Sequence, residues 1–129
     1  YTEIELHKAG SEVFKPETNS IDLCFTSPPY FDTEKYSNEP TQSYLKYPTE
    51  DGWISGFLYD TINNCYRGLK DNGYMLMNIA NTSSGKNIEN ATMKICKDLG
   101  LKYEKTLKLT LSSIAGKGHK YEPIFVFKK

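Results

Sequence analysis

The chain has 129 residues, with 16 Lys and Arg against 16 Asp and Glu. That length suffices for one domain with one real core, and a net charge of zero excludes a uniformly basic surface of the kind that dominates phosphate binding. Aromatic residues make up 13% of the chain, including 10 Tyr, which argues against disorder.

Any basic surface must therefore be local, with Lys117, His119 and Lys120, then Lys128 and Lys129, as candidates. The same residues read equally as a solvated loop and a solubilising tail. Cys24, Cys65 and Cys96 lie far apart inside apolar segments, without zinc-site spacing or the even count of a disulfide framework. They are expected as reduced core residues of an intracellular protein. No apolar stretch approaches the roughly 18 residues of a membrane span, and no signal peptide is visible. The chain opens at Tyr1, mid-pattern, and reads as a piece of a longer protein.

Thr2–His7 alternates through Ile4 and Leu6 and predicts a short strand. Ala9–Glu12 is a turn, Val13-Phe14 a possible helical turn, and residues 16–20 a loop. Ile21–Phe25 has no polar break in Leu23-Cys24-Phe25 and predicts a short buried strand. Pro28 and Pro29 end it, since neither donates to a ladder. Phe31–Thr49 has no period and is rich in Tyr, Ser, Thr and Pro. Ordered loops of that length are often functional.

Thr49-Glu50-Asp51 offers a hydroxyl cap and first-turn acids for a helix. Trp53, Ile54, Phe57, Leu58, Ile62, Cys65 and Leu69 follow on one helical face, and Asn72-Gly73 is the expected stop. Tyr74–Ile79 predicts a second apolar strand. A second helix is expected from about Lys86 to Leu99, with Ile88, Ala91, Ile95 and Leu99 inward and Gly100 ending it. Tyr103–Leu111 alternates and predicts a half-buried strand with Tyr103, Leu107, Leu109 and Leu111 on one face. Residues 112–120 form a loop. Tyr121–Phe127 is the last strand, where Pro123 suggests an early or edge position. The order predicts a single α/β domain, residues 1–129, with a mostly parallel sheet, an antiparallel C-terminal strand pair and helices on the faces.

The most informative segment is Ser27-Pro28-Pro29-Tyr30 at the exit of the Ile21–Phe25 strand. A strand ending in Ser-Pro-Pro-Tyr resembles the catalytic motif of the amino-methylating DNA methyltransferases, which move a methyl group from S-adenosylmethionine to the exocyclic nitrogen of cytosine or adenine. The resemblance implies a partial Rossmann-like methyltransferase sheet. It also implies that Ser27 and the carbonyl of Pro28 accept hydrogen bonds from the target amine, with Pro29 stiffening the corner. Such acceptors draw the amine's lone pair out of ring conjugation. Tyr30 is then expected to stack on a base taken out of the duplex. The place fits, since ligands of open α/β sheets bind beyond the carboxyl ends of strands.

By the same resemblance, Ala9-Gly10-Ser11-Glu12 looks like the turn that contacts the cofactor's adenine, with Ser11 and Glu12 as contacts and Thr26 beside them. The segment from Phe31 to Tyr36 looks like the one that closes over the base, so Phe31 and Tyr36 are candidate base contacts. Gly73–Ile79 is similar to the next core strand, with Asn78 lining the target pocket or making a structural hydrogen bond. Tyr121–Phe127 looks like the final strand, where Glu122 orders loops. Ser in the first motif position leans toward cytosine. His7 and His119 have no partner at catalytic or metal spacing, and no metal is expected. Cys24 sits inside a strand and not in a Pro-Cys turn, which disfavours cysteine-based ring methylation.

The family's glycine-rich Phe-x-Gly-x-Gly turn, which admits the methionine part of the cofactor, is missing. Gly116-Lys117-Gly118 lies between strands and does not replace it. Also missing is the acidic residue that ends the next strand and binds the ribose. The chain therefore reads as the catalytic-motif half of a methyltransferase, with the cofactor half either before Tyr1 or after Lys129. By analogy with the family's strand order 3-2-1-4-5-7-6, it would supply strands 3 to 7. One edge of the Ile21–Phe25 strand would then be free, and Thr2–His7 or another chain is expected to dock on it. The implied partners are DNA and, through that edge, a second copy of the chain, in a bacterial or phage intracellular setting. An RNA or protein-glutamine methyltransferase of the same fold, or a binding module without turnover, are the alternatives.

Overall fold

Four strands and a segmented helical layer make up the computed structural model, which describes residues 3–32, 35–111 and 120–129. The strands are β1 Ile21–Thr26, β2 Leu69–Asn78, β3 Lys102–Leu111 and β4 Lys120–Lys128, in the order β1-β2-β4-β3. β1 pairs parallel to β2, while β4 is antiparallel to both β2 and β3. β1, β2 and β3 thus run in one direction and β4 is reversed. This is the expected 4-5-7-6 arrangement of a Rossmann-like methyltransferase sheet.

The fifth strand, expected from Thr2–His7, does not form: residues 3–7 are irregular, and Leu6 is 91% exposed. Alternation alone does not hold a strand without a ladder partner. The N-terminal segment instead crosses a helix, where Ser11 Oγ meets Thr61 Oγ1 at 2.9 Å and Asn64 Nδ2 donates to Ser11 O at 3.1 Å. Among the described residues nothing pairs with the outer edge of β1.

The helices are α1 Ser43–Lys46, α2 Glu50–Gly52, α3 Tyr59–Gly68 and α4 Ile88–Leu99. A π-helical segment, Trp53–Leu58, joins α2 to α3 without a break. Thr49 caps this run as expected, its side chain accepting from Gly52 N–H. The run ends at Gly68, not at Asn72-Gly73, and β2 starts at once with Leu69. Asn72 has φ 67°, and the ladder register shifts between Ile21 and Leu23 on β1. The Asn-Gly pair therefore bulges β2 instead of stopping a helix. α4 ends at Gly100 with φ 102°, where a Cβ would be strained. Its inward line is Ile88, Thr92 and Cys96, with Ala91, Ile95 and Leu99 flanking. Thr92 tolerates burial because its hydroxyl donates to Ile88 O at 2.8 Å.

Register separates the two faces of the sheet. Cys24, Met75 and Phe127 share one face, as do Thr26, Met77 and Phe125. Met75, Met77, Phe125 and Phe127 are buried together with Trp53, Phe57, Leu58, Ile62, Ile88 and Cys96. The opposite face carries Leu23 with Tyr74, Phe25 with Leu76 and Val126, and Ile124 with Leu107. There Leu23 is 56% and Phe25 60% exposed. The described helices thus cover one face, not both.

β3 also departs from expectation, since its burial leaves both faces open apart from Leu111. A register shift between Tyr103 and Lys105 turns Tyr103 away from Leu107, Leu109 and Leu111. Tyr103 meets Phe127 edge-on at 6.0 Å, while the three leucines join the bare face.

All three cysteines are free. Burial pushes the Cys96 thiol up to about 12. Contact with Cys24, then burial, raises Cys65. Neither thiol is poised as a nucleophile.

Lys128 and Lys129 are not a loose basic tail. Lys129 Nζ donates to Leu69 O at 2.7 Å, Tyr66 O at 2.8 Å and Asn19 Oδ1 at 3.2 Å. It also lies 4.6 Å from the centroid of the Tyr66 ring, and Lys128 Nζ lies 5.7 Å from that of Tyr74. A cation thereby satisfies carbonyls at the end of α3. Lys129→Met is expected to lower unfolding stability by about 2 kcal/mol. Urea titration reads it as a lower midpoint at unchanged slope. Lys117 and His119 lie outside the described residues, as does the Gly116–Gly118 segment.

Candidate active site

Three strand ends meet where β1 leaves the sheet. Parallel pairing sets the carboxyl end of β1 beside that of β2, which closes with Asn78. The reversed β4 brings in Glu122 and Pro123 near its start, with Ile124 opposite Asn78. Pro123 fits an inner strand because the β2–β4 ladder stops at Ile124, so no β2 partner needs its missing N–H.

A hydrogen-bond network ties these ends together. Ser27 Oγ donates to Asn78 Oδ1 at 3.0 Å. Tyr30 OH lies 3.1 Å from Asn78 Oδ1 and 3.1 Å from Glu122 Oε2. Asn78 Nδ2 donates to Pro123 O at 3.0 Å and approaches Glu122 Oε2 at 3.5 Å. Asn78 is buried while Ser27 is an exposed residue, so the network braces the motif from beneath.

Tyr30 and Phe31 do not present open ring faces. Tyr30 is 8% exposed and belongs to the core cluster, with its hydroxyl turned into the network. The open ring face that the expected stacking role calls for is not presented in this arrangement, and the hydroxyl ties the corner to Asn78 and Glu122. The motif ends a strand whose inner neighbours are buried, and the ring follows the core inward. Phe31 is also buried, with φ 55°, and meets Trp53 edge-on at 6.2 Å. In this arrangement it packs within the core cluster. Tyr36 remains open at 73% exposure.

Beside the motif lies a cavity of about 380 Å³ whose lining includes Pro29, Tyr36, Ser11, Glu12, Gln42 and Phe57. Pro29 is half-buried at its wall, and Pro28 before it is buried. Lys46 Nζ reaches Glu12 Oε1 at 3.3 Å, joining the long loop to the Gly10–Glu12 turn, and this contact raises the Lys46 ammonium above its ordinary value. Glu12 Oε2 is buried and has no hydrogen-bond partner among the described residues. Asp32, just past the motif, accepts from Ser84 Oγ and fastens the loop to the segment after β2.

A second cavity of about 350 Å³ runs along β1, with Ser11, Phe14, Ile21, Cys24, Thr26 and Cys65 in its wall. Ser11 and Thr26 therefore share a cavity along β1. The structure brings Ser27, Tyr30, Asn78 and Glu122 into one network and gathers Pro29, Tyr36, Ser11 and Glu12 around one cavity. The π-helical segment beneath them had no sequence signal, because its residues also satisfy an ordinary helical period. Among the described residues no group of three or more His, Cys, Asp or Glu is placed to hold a metal ion. No described helix is long and apolar enough to cross a membrane.

Comparison with known proteins bears on this arrangement. A Thermus thermophilus protein, provisionally assigned as a DNA modification methylase, superposes with a TM-score of 0.63 at 16% identity. The match covers 93% of this chain and 50% of that one. The same protein complexed with S-adenosyl-L-methionine gives 0.56 at 17% identity, covering 92% of this chain and 51% of that one. The PvuII cytosine-N4-specific DNA methyltransferase gives 0.59 at 14% identity, covering 88% and 44%. These likenesses establish the fold. The chain spans about half the length of these solved relatives. No curated protein matches it in sequence. A family model described as DNA methylase, of the N6 and N4 type, matches residues 21–129, from the first residue of β1 to the last of the chain. The chain therefore belongs to the N6/N4 DNA methylase family.

Proposed function

We propose that this chain supplies the target-amine side of an S-adenosylmethionine-dependent methyltransferase acting on the exocyclic nitrogen of cytosine or adenine in DNA. The observation that carries this is exposed Ser27 just past the carboxyl end of β1, its hydroxyl braced by Asn78 and the proline corner following it. The amine's lone pair is delocalised into the base, so the site must hold both amine hydrogens on acceptors. Ser27 Oγ and the Pro28 carbonyl serve as those acceptors. Pro28 and Pro29 limit the backbone's freedom and keep that carbonyl in one direction. Tyr36, open at the wall of the 380 Å³ cavity, is the ring available to a base lifted from its stack.

The residues present fit only one end of the cofactor. The Glu12 oxygen, without a partner among the described residues, suits the amino group of an adenine; Ser11 shares its cavity, and Thr26 lines the neighbouring cavity that Ser11 also lines. The glycine-rich turn for the methionine end is missing from the sequence. When bound, the cofactor supplies an electrophilic sulfonium methyl. The chain's own part is to orient the nitrogen and exclude water from it. The free β1 edge supports docking of a further strand, from a cofactor-binding half or from a second copy of this chain. DNA as substrate implies an intracellular setting, bacterial or phage.

The test joins this chain to a glycine-rich cofactor half and measures transfer of labelled methyl to duplex DNA, RNA and glutamine peptides. Transfer to DNA is expected, with N4-methylcytosine or N6-methyladenine in the digest. Ser27→Ala is expected to lower kcat by about 100-fold. Transfer to RNA or peptide alone would overturn the DNA assignment.

A further inference from the structure

Ser27 can act as an acceptor only if its own proton is held elsewhere, and the network beneath it shows where. Pro123 O accepts hydrogen bonds and cannot donate, so the Asn78 atom 3.0 Å from it must be the amide nitrogen. That fixes the amide: the nitrogen faces Pro123 and Glu122, and Oδ1 faces Ser27 and Tyr30. Asn78 is buried, so solvent does not compete for this orientation.

The Tyr30 hydroxyl lies 3.1 Å from Asn78 Oδ1 and 3.1 Å from Glu122 Oε2. Asn78 Oδ1 carries two lone pairs, so it accepts the Ser27 proton at 3.0 Å whether or not Tyr30 also donates to it. A serine oxygen whose proton is committed inward keeps its lone pairs for the outside. Without that commitment the hydroxyl is free to rotate and meet the amine proton to proton.

We propose that Asn78, oriented by Pro123 and Glu122 with Tyr30 as a brace, is a positioning residue that makes Ser27 an obligatory acceptor for the target amine. This deepens the amino-methyltransferase assignment and rests on it. Asn78 touches neither substrate nor cofactor. Its effect passes wholly through the Ser27 hydroxyl, and that dependence distinguishes it from a pocket-lining residue.

The experiment is a double-mutant cycle with Ser27→Ala and Asn78→Leu in the chain joined to a cofactor half, read as kcat and KM for duplex DNA. Asn78→Leu alone is expected to lower kcat about tenfold or more with KM for DNA unchanged. In the Ser27→Ala background it is expected to add nothing further to the loss in kcat. Full multiplication of the two losses, or a rise in KM alone, overturns the proposal. Asn78→Asp keeps the acceptor but sets a second carboxyl beside Glu122, so its kcat is expected to gain a pH dependence that Asn78→Leu lacks.

A second readout needs no turnover. The shifts in denaturant midpoint caused by Ser27→Ala and Asn78→Leu in the full chain are expected to be non-additive, and additive shifts overturn the proposal. Absence of methyl transfer by the unaltered joined protein counts instead against the function assigned above, and the denaturant cycle still decides whether Asn78 holds the Ser27 proton.

Discussion

Trp53→Ala is expected to lower the unfolding free energy by about 4 kcal/mol, the largest loss from any single truncation at the site end of the chain. The ring is fully buried, 5.3 Å from Phe57 and 6.2 Å from Phe31 by centroid. It opens the π-helical segment and packs beneath the corner that follows the Ser-Pro-Pro-Tyr motif. Truncation would leave a cavity that the sheet on one side and the helix on the other cannot close. Trp53→Phe should cost far less, within about 1.5 kcal/mol. The indole Nε1 has no hydrogen-bond partner among the described residues, so its removal leaves no described acceptor unpaired. Urea denaturation followed by circular dichroism separates the two variants. A loss under about 1 kcal/mol for Trp53→Ala would show that the π-helical segment does not hold the motif.

The elements that carry strong local signals were legible in the sequence. Thr49 with Glu50 and Asp51 marked the helix start, and Gly100 marked the end of α4. Pro28 and Pro29 marked the exit of β1. Legibility failed where a long-range partner decides the outcome. Ile4 and Leu6 alternate like a strand, yet no described partner offers them a ladder. Asn72-Gly73 has the chemistry of a helix stop, but the helix had already ended at Gly68 and the pair bulges a strand instead. Strict alternation puts Tyr103 on the same face as Leu107, and one register shift reverses it.

The site divides in the same way. Ser27, Pro28 and Pro29 could be placed at the carboxyl end of a strand from order alone. The inward turn of Tyr30 could not, because Asn78 and Glu122 lie 48 and 92 positions away in sequence. Tyr36 and Phe31 are equivalent in sequence as aromatic residues of one loop. Only packing against Trp53 distinguishes the buried ring from the open one.

The bare sheet face leads to the second large effect. Leu23, Phe25, Tyr74, Leu107 and Leu109 are exposed on one side of a sheet whose β1 edge is also unpaired among the described residues. An apolar face beside a free strand edge favours association. The chain by itself is therefore expected to self-associate at micromolar concentration, with an apparent mass that grows as concentration rises in sedimentation experiments. Leu23→Lys combined with Phe25→Lys is expected to abolish this association. Both side chains are more than half exposed and lie outside the buried cluster, so the pair should change unfolding stability by no more than about 1 kcal/mol. A Lys pair on an edge strand opposes pairing by charge, while Met75, Met77, Phe125 and Phe127 keep their packing on the other face. A concentration-independent monomer mass for the unaltered chain would refute the claim that this face seeks a cover. Unfolding by the double substitution would show instead that Leu23 and Phe25 belong to the core.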